Sequence, residues 1–135
     1  RPGERLFLDP KTLPLRLSLD SPLEDLWIDI HLSLSGAPTG NDFEARVMGA
    51  IKDLFDKAAR SATTEAPARV RYTDLHGAIS RLIVNIHIVR LRVTVTHTRD
   101  GLVEELDGED GEATIGPREQ AIPRKPRLRI EGGDG

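Results

Sequence analysis

The segment LWIDIHLSLSG, residues 26–36, decides the fold of this chain. Leucine or isoleucine occupies every even position from Leu26 to Leu34. The odd positions between them hold Trp27, Asp29, His31 and Ser33. Because successive side chains of a strand point to opposite faces, this alternation predicts a strand with one buried face and one more polar face. It is the clearest strand pattern in the chain, and we expect it to lie at the centre of a sheet.

A strand and a helix are predicted on either side of this segment. Upstream, leucines alternate with other residues from Leu13 to Leu19, which predicts a further strand. Downstream, apolar residues recur at spacings of three and four, at Phe43, Val47, Ile51, Leu54, Phe55 and Ala58. This stripe predicts an amphipathic helix over residues 42–60 that covers a sheet, with Asn41 or Asp42 at its N-terminal cap.

The second half of the chain predicts a short strand, a short helix and a long strand. Residues 69–72, RVRY, predict the short strand, and the apolar spacing over residues 75–83 predicts the short helix. Residues 86–98 are strongly β-prone, but the parity of their apolar positions changes between Ile88 and Val89. This change predicts a bulge or a sharp bend within the long strand.

Together these elements predict an α+β fold, a two-layer sandwich in which one long and one short helix cover one face of a mixed sheet. The 135 residues fit one domain with one core. We expect this domain to span residues 1–130, followed by a flexible tail at 131–135. Within the domain we expect an N-terminal strand and turn at 1–22, an acidic loop at 102–112 and an extended C-terminal arm at 113–130.

The composition excludes several kinds of chemistry. The chain has no cysteine, which removes disulfides, thiol nucleophiles and cysteine-ligated metal sites. Its apolar runs are far shorter than the ~20 residues that span a bilayer, so we expect no membrane segment. It contains neither a G-x-S-x-G elbow nor a Gly-rich phosphate loop. We therefore predict no enzyme activity and no catalytic or cofactor-binding residue; a deep pocket lined by carboxylates or histidines would indicate an enzyme or small-ligand domain instead.

Two patterns invite a metal hypothesis, and neither has the required spacing. The four histidines are His31, His76, His87 and His97. No two of them have the i, i+4 spacing of a helical metal site, and no H-E-x-x-H occurs. The stretch Asp107–Glu112 resembles a calcium loop in composition only, because its fifth position is Gly111 and its twelfth is Arg118. We predict no metal ligand, and we interpret the histidines as solvent-facing or hydrogen-bonded structural side chains.

The charges are arranged in blocks of alternating sign. The net charge is −3, yet residues 99–116 carry seven acidic and one basic side chain, and residues 117–130 carry five basic and one acidic. Because charge complementarity sets register and partner choice, these blocks suit contacts between subunits, although a solvated acidic loop beside a basic edge strand would show the same pattern. The predicted partner-binding residues are Arg124, Lys125, Arg127 and Arg129.

The arginines also leave a nucleic-acid interpretation open. It would combine the basic arm with four strand arginines that could share a sheet face, Arg69, Arg71, Arg90 and Arg92. Against it, three phenylalanines, one tyrosine and one tryptophan offer little for a stacking platform, and the overall charge is acidic. A small nucleic-acid-binding α+β domain is therefore the alternative function, with nucleic acid as the less favoured partner.

The order of elements resembles a known family. The segments LWIDIHLSLSG, VRYTDLHGAIS, VNIHIVRLRVTV and ATIGPREQAIPRKPRLRI look like the C-terminal domain of baseplate J-like proteins, which form wedges in contractile phage tails and related injection systems. The resemblance covers residues 23–130 and lies in element order and apolar pattern. It implies a structural assembly module of a baseplate, a homo-oligomer or hetero-oligomer bound to other tail or baseplate subunits. It also implies a place in the virion tail or injection particle, assembled in the cytoplasm.

Overall fold

The structure is a computed structural model that describes residues 23–131. Within this range the elements are β1 (Glu24–Leu34), α1 (Phe43–Ser61), β2 (Ala68–Arg71), α2 (Tyr72–Ser80), β3 (Ile88–His97), β4 (Val103–Leu106), β5 (Glu112–Ile115), β6 (Glu119–Pro123) and β7 (Arg127–Ile130). The predicted strand at Leu13–Leu19 lies outside the described residues, as does the rest of residues 1–22. Residues 132–135 of the predicted tail also lie outside them.

The strand β1 lies at the centre of the main sheet. On one side it pairs antiparallel with β3, from Leu26 opposite His97 to Leu34 opposite Ile88. On the other side it pairs in parallel with β6 along its first half and with β7 along its second half. β4 adds antiparallel to the outer side of β3. β2 and β5 pair separately, as a two-stranded antiparallel ribbon.

The even-numbered residues of β1 line the core. All of them from Leu26 to Leu34 are buried, and α1 packs in the same core with Val47, Ile51 and Phe55. Burying one such large side chain contributes roughly 1.5–3 kcal/mol relative to leaving it exposed. With α2 also packed on this core, one long and one short helix cover one face of a mixed sheet, which confirms the predicted two-layer α+β fold. In residues 23–131, neither helix has the length and apolar character needed to cross a membrane.

The predicted irregularity in the long strand is a bulge at Val89. Ser33 pairs with Arg90 and Leu34 pairs with Ile88, so Val89 has no partner on β1. The extra residue allows apolar side chains of opposite parity to face the core on either side of it. The strand itself starts at Ile88, two residues later than predicted.

Part of the predicted acidic loop at 102–112 is a strand. Residues Val103–Leu106 form β4, which pairs with β3, and Leu106 is fully buried. The hydrogen bonds with β3 and the burial of Leu106 therefore hold this segment in the sheet although it is acidic.

The predicted long helix is confirmed as α1. It starts at Phe43 with Asp42 at its N-cap, although the Asp42 side chain makes no capping hydrogen bond.

The predicted C-terminal arm at 113–130 is built into the domain. It provides the strands β5, β6 and β7. Pro123 and Pro126 divide its basic half, because proline has no backbone N–H to contribute to a ladder. The chain between them remains attached, since the backbone N–H of Arg124 donates to the carbonyl oxygen of Ile28 over 2.9 Å. As a result, two successive short strands occupy one side of β1.

Candidate functional site: an arginine-lined groove on the open face of the sheet

The face of the main sheet opposite the helices carries two rows of arginines. Taken across β3, β1 and β7, the rows are Arg92, His31, Arg127 and Arg90, Ser33, Arg129. We call these six residues the arginine grid. They line a shallow groove of about 250 Å³. Each row places one polar side chain of β1 between two guanidinium groups.

Alternation in three neighbouring strands places the grid on one face. In β1 the even positions are buried, so His31 and Ser33 lie on the opposite face. In β3 the positions Leu91 and Val93 are buried, and the arginines at alternate positions lie on the open face. In β7 Leu128 packs against the core, and the arginine on each side of it lies on the open face. The grid therefore depends on the register of three strands that are far apart in sequence.

The second row has carboxylate partners. Arg90 Nη2 donates to Asp107 Oδ2 over 2.7 Å, and Arg129 Nε lies 3.6 Å from Glu131 Oε2. The hydrogen bond from Arg90 lowers the pKa of Asp107, and the same bond raises the pKa of Arg90. The charge of this row is therefore matched by carboxylates of the chain itself.

The first row has no such partners in the part of the chain that the structure describes. Neither Arg92 nor Arg127 forms an ion pair there, and the Nε of Arg92 is buried without a hydrogen-bond partner. The pKa of His31 is lowered, first by burial and then by the charges of Arg92 and Arg127, against the opposing charges of Asp29 and Glu105. Arg92 and Arg127 lie two strands apart on either side of His31, so an anion between them would reduce the repulsion of their charges.

The structure separates the four predicted partner-binding residues, Arg124, Lys125, Arg127 and Arg129. The last two belong to the arginine grid on β7. The guanidinium of Arg124 instead lies over the ring of Trp27, with its Cζ 4.5 Å from the ring centroid. Lys125 lies near the start of α1, with its Nζ 3.9 Å from Glu44 Oε1. Only half of the predicted set therefore lies at the groove.

The four strand arginines do not share a sheet face. Arg90 and Arg92 lie on the open face of the main sheet, whereas Arg69 and Arg71 belong to β2 in the ribbon. There Arg69 Nη1 lies 3.6 Å from Glu112 Oε2. The nucleic-acid interpretation therefore loses half of its predicted strand arginines, because β2 pairs with β5 and not with the main sheet.

His31 and Ser33 belong to the site although neither is predicted as a site residue. The alternation of β1 does place both on its polar face. What the sequence lacks is any sign that β3 and β7 lie on either side of them. The R-x-R pairs at 90–92 and 127–129 were the available signal, since such a pair puts two arginines on one face of a strand.

The outer edge of β6 is covered by side chains. Lys52 Nζ donates to the carbonyl oxygen of Ala121 over 3.1 Å, and the N–H of Ala121 donates to Asp56 Oδ1 over 3.3 Å. The helix α1 therefore covers that edge. On the other side of the sheet, the Glu104 side chain of β4 accepts a hydrogen bond from the N–H of Thr114 over 3.1 Å, which joins β4 to the ribbon.

The outer edge of β7 is different. The N–H of Glu131 donates to the carbonyl oxygen of Leu34 over 2.7 Å. Because alternate residues of a strand direct their backbone groups to opposite sides, those of Leu128 and Ile130 face away from β1. No hydrogen bond to these outward groups comes from the described residues. We call the outward backbone groups of Leu128 and Ile130 the open edge.

A second cavity, of about 610 Å³, lies at the end of β3 and has a buried histidine in its lining. The Nδ1 of His97 lies 2.8 Å from Glu119 Oε2, and its Nε2 lies 2.5 Å from Glu104 Oε1. Ionised carboxylates only accept hydrogen bonds, so beside two carboxylates both ring nitrogens would donate and the ring would be an imidazolium. Burial lowers the pKa of His97, but the hydrogen bonds to Glu104 and Glu119 and their charges outweigh burial, so this pKa is raised.

The buried histidine connects elements of the fold. It ties the end of β3 to β4 and to the start of β6, where the N–H of Gly116 also donates to Glu119 Oε1 over 2.7 Å. The cavity has the histidine and carboxylate lining expected of an enzyme site, but both nitrogens of His97 are already occupied. A general base or a metal ligand needs a free ring nitrogen. Between residues 23 and 131, no three His, Asp or Glu side chains are placed to hold a metal ion.

No protein-family model matches this sequence, and no curated protein matches it either. The resemblance to baseplate J-like proteins therefore depends on element order and apolar pattern alone. The features that support a function are the open edge of β7 and the arginine grid on the face beside it.

Proposed function

We propose that this chain is a structural assembly module that binds an extended segment of a neighbouring protein subunit. The observation that carries this proposal is the open edge of β7 beside the arginine grid. An unpaired strand edge gains main-chain hydrogen bonds when another strand adds to it. The grid, on the open face of the same strand, supplies charge recognition.

The surroundings of the open edge suit a partner strand. Proteins commonly cover their sheet edges, as α1 covers β6 here. The apolar side chain of Ile130, on β7 itself, is 42% exposed. A partner strand would thus find an apolar contact as well as hydrogen bonds.

The setting we propose is a contractile-tail or injection-system baseplate, as the resemblance to baseplate J-like proteins implies. The partners would then be other tail or baseplate subunits, in a homo-oligomer or hetero-oligomer of the virion tail or injection particle. Support for this setting comes from the order of elements over residues 23–130.

The second candidate function is binding of single-stranded nucleic acid, which the arginine grid favours. Carboxylates on the same face weaken the case for nucleic-acid binding. Asp29 and Glu105 would repel phosphates, and Arg90 is already hydrogen-bonded to Asp107. The tryptophan on that face, Trp27, is covered by a guanidinium and does not offer a bare stacking surface. Oligonucleotide binding whose affinity falls steeply with salt would favour this candidate.

Photo-crosslinking in the organism that produces the chain tests the assembly function. A photo-reactive amino acid replaces Ile130, and in a matched control it replaces Leu102, which is similarly exposed but lies outside the strands. We expect one heavier protein species from the Ile130 position and none from the control. An adduct that nuclease removes would favour nucleic acid. No adduct at Ile130, or the same adduct at both positions, would contradict the proposal.

A further inference from the structure

The row of Arg92, His31 and Arg127 is the part of the groove whose arginines form no ion pair with the described residues, although the charges of Asp29 and Glu105 lie nearby. The Nε of Arg92 is buried there without an acceptor. Arg127, on the other side of His31, forms no ion pair with the described residues. Both arginines line the groove of about 250 Å³, so its charge suits an anion. A carboxylate bound to a guanidinium makes a charge-assisted bond, which is roughly twice as strong as a neutral one.

The charge of β7 argues against pairing with a second copy of itself. If two β7 edges joined antiparallel, Arg127 and Arg129 of one copy would face the same two arginines of the other. Like charges directly opposite one another across a sheet are destabilising. The chemistry of this edge therefore calls for a segment of opposite charge.

We infer that the segment added at the open edge is acidic, with one carboxylate lying beside Arg127 at the groove. This inference rests on the assembly function proposed above. A strand added to β7 would lie about 4.8 Å from it and would direct alternate side chains to the open face. Glutamates at those alternate positions would lie beside Arg127 and Arg129, where the planar guanidinium favours bidentate pairing with a carboxylate.

Two short peptides test this inference against the full chain. The first is acetyl-Val-Glu-Val-Glu-Val-amide, and the second is identical except that glutamine replaces both glutamates. Titrations followed by NMR give the affinity of each peptide, the shift of the Arg92 Nε–H signal and the pKa of His31. The variants are Arg92→Gln and Arg127→Gln, with Arg69→Gln as the matched control, because Arg69 lies in the ribbon.

We expect the acidic peptide to bind more tightly than its glutamine counterpart. Arg127→Gln should weaken the acidic peptide by roughly tenfold, as loss of a hydrogen bond to a charged group does. Arg92→Gln, which removes a more distant charge of the same row, should weaken it less, and Arg69→Gln should not weaken it. Binding should shift the Arg92 Nε–H signal and raise the pKa of His31, because a negative charge joins the row. Both signals are read in the wild-type chain, so they do not depend on the folding of any variant.

The inference is overturned if the two peptides bind equally, if the acidic peptide fails to bind, or if Arg69→Gln has the effect of Arg92→Gln. Binding of a thymidine oligonucleotide in place of the acidic peptide would assign the groove to nucleic acid.

A further pair of variants separates this inference from the assembly function. Ile130→Pro removes an outward N–H of the open edge, and Ile130→Thr keeps it. If the acidic peptide binds both variants and the wild type equally, carboxylates occupy the groove without strand addition: the assembly function fails, and only the preference of the groove for carboxylates remains. If Ile130→Pro weakens both peptides while the peptides bind the wild type equally, strand addition stands and the acidic partner is rejected.

Discussion

The guanidinium of Arg124 lies over the ring of Trp27, with its Cζ 4.5 Å from the ring centroid, and its Nε lies 3.5 Å from Asp29 Oδ1. Arg124 is one of the four residues predicted from charge to bind a partner, and here it contacts side chains of its own domain. The contact holds the link between β6 and β7 against the open face. Arg124 therefore contributes to the fold, and Arg127 and Arg129 remain for the groove.

Replacing Arg124 with glutamine should lower stability and leave acidic-peptide binding unchanged. The expected loss is about 0.5–1 kcal/mol of unfolding free energy, the usual value of a cation–π contact at an exposed site. Trp27 is the single tryptophan of the chain, so its fluorescence should change in the folded variant. Chemical denaturation and peptide titration measure both quantities. A variant as stable as the wild type but weakened in binding would place Arg124 at the partner interface instead.

The pKa of His97 predicts a fall in stability at alkaline pH. Its folded pKa is raised, so the imidazolium contacts with Glu104 and Glu119 contribute stability that is fully present below about pH 6.5, the ordinary histidine value. That contribution is lost as the pH rises through the folded pKa, with a slope of at most about 1.4 kcal/mol per pH unit. Denaturant unfolding of the wild type across this range measures the fall.

A pair of histidine variants identifies the group responsible for this fall. His97→Gln should remove the pH dependence, whereas His87→Gln, at an exposed position, should retain it. A wild-type stability that rises or stays level above pH 6.5 would show that His97 is not the imidazolium described above.

Removing the side chains that cover β6 should promote self-association. In the double variant Lys52→Ala, Asp56→Ala, the backbone groups of Ala121 lose both of their partners on α1. An edge with unsatisfied backbone groups is a template for pairing with other chains. Sedimentation velocity should then detect larger species. The matched control Asp53→Ala, Lys57→Ala changes the same charges at exposed positions of the same helix and should behave as the wild type.

Two glycine substitutions should change stability in opposite directions. A Cβ on Gly111 would lie 2.8 Å from the Cα of Leu106, a backbone atom that has little freedom to move. Gly111→Ala should therefore cost about 1–3 kcal/mol, the usual range for overpacking. Gly49, within α1, has no atom within 4 Å of its added Cβ, so Gly49→Ala should stabilise the helix by about 0.5–1 kcal/mol. Denaturant unfolding measures both, and equal effects would contradict the close approach at Gly111.

Local periodicity was sufficient to predict the central strand, the long helix and the faces of both that are buried. The alternation from Leu26 to Leu34 identified the central strand, because side chains of a strand alternate whatever its neighbours are. The stripe of three and four spacings identified α1 and its core-facing side. The parity change at Val89 located the bulge for the same reason. Each of these features depends on residues a few positions apart, which is why sequence alone predicts them.

The composition of the candidate site depends on which strands pair with one another. The two arginine rows exist because β3 and β7 flank β1 in one register, and the pairing of β2 with β5 takes Arg69 and Arg71 away from them. The imidazolium of His97 likewise needs carboxylates from two other segments. Strand order and register arise from contacts between residues distant in the chain. Alternation sets which face a side chain takes but carries no information on which strand lies beside it.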